Sequence, residues 1–247
     1  MTKKIALSSF LLSVGMALTL PANAVILDWD LGGTATTTAG VINTLTFSTG
    51  GHNLTAKGYC SSGTNGTGSF SAAHVQVYGG GLGVNSGGDT AVCGGDTSSK
   101  NHAVDKNGHN NFVLFEFDSL MSASQFKIGY KNIDADIQVW FGPASGAAVD
   151  LNGACVVGCA TTLEGLGFTA TPGFNNIAKN VSQTVSASTK SRYVVVSGAL
   201  NAVNGSIDSN FDYFKINHLS AQVPAPPTLA LMALGLIMLH RRPKTQK

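Results

Sequence analysis

Between residues 25 and 223 apolar residues recur in short alternating runs, separated by clusters of Gly, Ser, Thr, Asn and Asp. A period of two sends successive side chains to opposite faces, the pattern of a half-buried β-strand. The runs predict strands at 25–31, 41–48, 54–59, 74–78, 111–118, 125–130, 137–141, 182–187, 193–197 and 211–218. In the fifth of these, Val113, Phe115 and Phe117 share one face, while Phe112, Leu114, Glu116 and Asp118 share the other, apolar at one end and acidic at the other. In the sixth, Phe126, Ile128 and Tyr130 point one way and Gln125 and Lys127 the other, so one side is core and the other wet. No segment of this region sustains three turns of amphipathic helix, and helices do not alternate with the strands as βαβ units require. The pattern predicts one all-β domain, an antiparallel β-sandwich with jelly-roll-like topology. The glycine-rich polar stretch 79–108 is expected to be a long connection pinned at Cys93. No fixed internal period is present, so a solenoid is not supported.

The two ends break the pattern. Lys3 and Lys4 precede an uncharged apolar run at 5–20, and Ala22-Asn23-Ala24 follows as a small-x-small site. This is the form of a signal peptide at 1–24, with signal peptidase leaving Val25 as the mature start. At the other end, Val223-Pro224-Ala225-Pro226 leads into an apolar helix-prone run at 229–239, followed by Arg241, Arg242, Lys244 and Lys247. Each residue before a proline is held out of the α region, so the Pro-containing motif is extended and open to a protease. The uncharged stretch 224–239 is shorter than the roughly 20 residues of a comfortable span, yet can cross a thin or pinched bilayer. Its trailing cations keep that end cytoplasmic and leave the domain outside. The chain thus divides into a signal peptide at 1–24, an ectodomain at 25–222 and a sorting segment at 223–247.

Removing both ends changes the charge. The whole chain is formally +2, but the ectodomain holds nine basic side chains against thirteen acidic ones, a net of −4. No Lys/Arg cluster remains to neutralise phosphates, which argues against a nucleic-acid partner. Four cysteines, Cys60, Cys93, Cys155 and Cys159, form an even set bound for an oxidising compartment, so two disulfides are expected. Three connectivities are open. Cys60–Cys93 with Cys155–Cys159 is favoured, because Cys155-Val156-Val157-Gly158-Cys159 closes a small glycine-containing loop.

The ending resembles the PEP-CTERM sorting signal of Gram-negative bacteria, in which a Val-Pro-x-Pro motif precedes a short transmembrane helix and a terminal arginine cluster. The matching positions are Val223, Pro224, Pro226, Arg241 and Arg242, with Ala225 where many members carry Glu. The resemblance implies cleavage by a membrane exosortase and delivery, through an inner-membrane intermediate, to the cell surface or extracellular matrix. The middle of the chain is similar to the ectodomains of exosortase-dependent surface proteins through Gly81-Leu82-Gly83-Val84, His102, Asp105, Asn107, 113–118, Ile128-Gly129 and Asp134-Ala135-Asp136-Ile137. In this chain Lys106 separates Asp105 from Asn107, and Asn111 stands where Asp is common. That family is named for its export and implies no activity.

Hydrolase signatures are missing. There is no Gly-x-Ser-x-Gly elbow and no His-Glu-x-x-His, and Glu116 and Glu164 are the only glutamates. An oxygen-rich group is the best candidate site: His102, Asp105 and Asn107 in the long connection, with Asp134 and Asp136 at a strand entry. Calcium takes six to eight oxygens from carboxylates, amides and carbonyls, so structural calcium is the expected ion. The simpler role of such Asp and Asn residues is to cap turns. Trp29 and Trp140 are candidates for a stacking platform under sugar rings, although aromatic side chains in strands more often belong to the core. Together these readings predict a non-enzymatic structural or adhesive surface protein in contact with exopolysaccharide. A secreted glycan-active enzyme and an uncleaved tail-anchored periplasmic domain are the alternatives.

Overall fold

The computed structural model describes residues 24–37, 44–61, 69–85, 102–107, 109–144, 148–153, 163–185, 190–199 and 212–223. Ile26–Val223 forms one compact unit. The fold is all-β, with thirteen strands among the described residues: β1 (Val25–Asp30), β2 (Thr36–Thr37), β3 (Thr44–Thr49), β4 (His52–Ser61), β5 (Phe70–Tyr78), β6 (Gly81–Asn85), β7 (Val104–Asn107), β8 (His109–Lys131), β9 (Ile137–Phe141), β10 (Thr169–Ala170), β11 (Gln183–Thr184), β12 (Ser191–Gly198) and β13 (Tyr213–Val223).

Strand β8 organises them. Its first half lies between β4 and β12, and its second half pairs with β13 and β11, so one strand serves two sheets. The sequence pattern predicts two separate strands here. No glycine or proline interrupts Asp118 to Gln125, and Met121 and Ala123 are buried, so the strand runs through. Strand β5 makes the same passage, pairing with β4 at its start and with β6 at its end. The pairings run on as one path but form two groups: sheet I holds β2, β3, β4, the start of β5, the first half of β8, β12, β9 and β10, whereas sheet II holds the end of β5, β6, β7, β13 and the far half of β8, with β1 and β11 beside them. The strands β2 to β6 follow one another as a meander, so that half lacks the crossing connections of a jelly roll. The connection expected at 79–108 contains two strands, β6 and β7, both antiparallel to β13. Gly81 and Gly83 let them in, because a bare backbone fits where neighbouring carbonyls approach closely.

The main core lies between the sheets, where Val113, Phe115 and Phe117 meet Phe126, Ile128, Phe214 and Ile216. A second core covers the opposite face of sheet I. There Phe112, Leu114, Trp140 and Val195 pack under Leu151, Leu163 and Phe168 from the following loops. Both faces of β8 are therefore dry at its apolar end, as its alternation of large residues requires. At its acidic end, Glu116 accepts from Lys57 Nζ at 3.1 Å and from Arg192 Nη2 at 3.1 Å. Cys60 is disulfide-bonded, and Cys93, Cys155 and Cys159 lie outside the described residues.

Asp118 ties the β3–β4 hairpin to β8, accepting from the Asn53 amide at 2.8 Å and lying 3.1 Å from His52 Nδ1. Partial burial would raise its carboxyl. The Asn53 amide and the His52 and Ser119 contacts outweigh that and hold it below its ordinary value of 3.8. A depressed carboxyl contributes stability that is present above its ordinary value and lost as pH falls through the folded one. Asp118→Asn is expected to lower the urea midpoint at neutral pH and to flatten its decline below pH 3.8. Parallel acid limbs for variant and parent would refute this.

Candidate metal centre

The chain leaves β8 at Lys131 and crosses five residues, with a reversal at 132–134, before β9 begins. Ile133 at the turn has φ of 65°, a left-handed conformation that costs a β-branched residue energy, and its side chain is exposed. The reversal is closed by Asp134 N donating to Asn132 O at 2.8 Å. It places Asp134 beside Asp212, just ahead of β13, in a parallel bridge. Tyr213 N donates to Asp134 O at 3.1 Å, and Asn132 N donates to Tyr213 O at 3.1 Å.

Three carboxylates converge at this junction. Asp134, Asp136 and Asp212 are exposed by 2%, 2% and 1%, and each offers an oxygen within 4.8 Å of the others. Backbone amides orient them. Asp134 Oδ1 accepts from Ala135 N at 2.8 Å, Asp136 Oδ1 from Asn176 N at 2.6 Å, and Asp212 Oδ1 from Asp136 N at 2.6 Å. The backbone around Asp136 is held as well, with Ala199 N donating to its carbonyl at 2.9 Å and Ile177 N to Ala135 O at 3.1 Å. Four segments thus meet at one point: the β8–β9 turn, the strap at 174–177, the end of β12 and the start of β13. The other oxygen of Asp134, Oδ2, is buried and accepts no hydrogen bond.

Two ionised carboxylates no more than 4.8 Å apart repel by at least about 3 kcal/mol at an effective dielectric near 20, and burial adds desolvation. A bound cation removes both costs. The donors are all oxygen, which suits a hard divalent ion and gives zinc neither sulfur nor nitrogen. Burial favours calcium over magnesium, because magnesium gives up its water shell reluctantly.

Of the sequence-predicted ligands, Asp134 and Asp136 enter this group. Asp105 is also buried, in β7 opposite Tyr213, but is not one of the three. His102 is exposed and stacks on Tyr78 with ring centroids 4.5 Å apart. Asn107 lies in the β7–β8 hairpin opposite His109. The residue that the sequence reading missed is Asp212. Its one signal is an acid inside the apolar run Phe211-Asp212-Tyr213-Phe214, and Asp136 lies 76 positions earlier.

The expected sugar platform is corrected. Trp29 and Trp140 are 1% and 2% exposed, one in each core, so neither offers a ring face to a ligand. Inward positions of strands bury their largest side chains, and these two tryptophans stand at such positions. Val223 ends β13, whereas Pro224, Pro226, Arg241 and Arg242 lie outside the described residues. Among the described residues no helix is long and apolar enough to cross a membrane. Comparison of the chain with protein-family models, with curated proteins and with solved structures finds no match.

Proposed function

We propose that the chain is an exported, non-enzymatic surface or matrix protein whose all-β ectodomain is held by a buried calcium ion. One observation carries this reading: the Asp134, Asp136 and Asp212 carboxylates converge at 2% exposure or less. A carboxylate pair that cleaved a glycan would have to line an open cleft, whereas buried carboxylates suit a structural ion. Extracellular calcium modules work with dissociation constants of roughly 0.1–1 mM, which an exported domain can exploit. The signal-peptide pattern at 1–24 and the PEP-CTERM-like ending at 223–247 supply the route, through signal peptidase and an exosortase. The disulfide at Cys60 suits an oxidising destination. Adhesion to exopolysaccharide would use a surface without Trp29 and Trp140.

Calcium titrated into chelated protein is expected to raise the melting temperature by about 5–10 °C at one hundred times the dissociation constant. Asp134→Asn should abolish most of that rise. A melting temperature indifferent to calcium overturns the ion. For the route, the intact mass of released protein should start at Val25 and end within the Val223–Pro226 motif. Released material that retains Arg241 and Arg242 overturns the sorting.

A further inference from the structure

We infer that the ion at Asp134, Asp136 and Asp212 is the register pin of β13, so that cation binding decides whether the last strand is seated. This rests on the cation reading above and adds what the ion controls. Strand β13 is the hub of sheet II, pairing with β1, β6, β7 and β8. Its ladders are nonetheless poor in register information. Against β8 the pairing shifts three times, between Lys215 and Ile216, between Ile216 and His218, and between Ser220 and Ala221. Against β6 a single pair, Ile216 with Leu82, is made, and against β7 two, Tyr213 with Asp105 and Phe214 with Val104. In sheet I, by contrast, β4 meets β8 in an unbroken ladder from Leu54 opposite Phe117 to Ser61 opposite Asn110.

A slip of one residue turns every side chain of a strand to the wrong face. For β13 that would expose Phe214 and Ile216, both 0% exposed, and bury Lys215. The fixed point nearest those residues is the start of the strand. There Asp212 is bridged to Asp134, and its carboxylate accepts from the Asp136 amide. Strand β13 also closes contacts with segments far earlier in the chain, so seating it carries a loop-closure cost that must be met at the moment of docking. With the ion bound, the three carboxylates hold that end together. Without it, their mutual repulsion acts at the same point and opposes docking. The β3–β4 and β4–β8 ladders of sheet I include none of the residues that meet at the carboxylates and keep their pairing either way.

Hydrogen exchange of the full chain, read by mass spectrometry with calcium and with chelator, tests this. Calcium at ten times its dissociation constant is expected to slow exchange about ten-fold in β13, β1 and β7, with β3 and β4 unchanged. Asp212→Asn should show the chelated pattern in both conditions. Calcium binding, measured alongside by calorimetry, separates the failures. If calcium binds but protection changes equally in both sheets, the pin is overturned and the cation site stands. If no calcium binds, both fall. A variant that keeps calcium-dependent protection of β13 without the Asp212 carboxylate also overturns the pin.

Discussion

Trp29→Ala and Trp140→Ala are each expected to lower the unfolding free energy by about 3–5 kcal/mol, the cost of removing a buried aromatic side chain and leaving a cavity. Trp29 sits between the sheets, its ring 5.5 Å from that of Phe117 and tilted by 43°. Trp140 lies on the other face of sheet I, under Leu151, Leu163 and Phe168. Two independent cores are therefore tested by one pair of substitutions. Chemical denaturation checks the result, and a midpoint unchanged by either variant would place that ring outside the core. Emission from both tryptophans should be blue-shifted and resistant to iodide quenching. Trp29→Phe should cost far less than Trp29→Ala, because the Trp29 Nε1 has no acceptor and its loss removes a buried, unsatisfied donor.

Gly81→Ala should be nearly as damaging, and Gly51→Ala supplies its control. Both glycines have positive φ, 124° and 80°, so alanine is strained at either. At Gly51 an added Cβ meets nothing within 4 Å, which leaves conformational strain of about 1–2 kcal/mol. At Gly81 it would lie 2.4 Å from Ile216 O, a backbone atom that cannot move without displacing β13 from β6. Gly81→Ala is expected to cost at least about 2 kcal/mol more than Gly51→Ala and to raise exchange in β13. Equal urea midpoints for the two variants would mean that β6 and β13 are not pressed together at this point.

The two substitutions also mark where reading along the chain stops. Alternation in 111–118 and 125–130 carried the strand character, the core face of Val113, Phe115 and Phe117, and the acidic far end at Glu116. It could not show that the two runs are one strand, because no local residue type signals that a strand continues from one sheet into the next. Polar composition hid β6 and β7 inside a stretch that reads as a loop. The two glycines of β6, Gly81 and Gly83, are there for close backbone approach, and that reason is visible only once β13 and residue 102 lie alongside.

What the sequence determined by itself was the class of fold, the outward and inward faces of its longest strands, and the two terminal segments with their charge asymmetry. These are local properties, written in the period of the side chains and in the order of charged and apolar runs. Tertiary structure alone decided that both tryptophans face inward and that Asp212 completes the Asp134 and Asp136 pair. Strand pairing brings residues tens of positions apart into contact, and nothing in the spacing along the chain encodes which distant carboxylate will arrive.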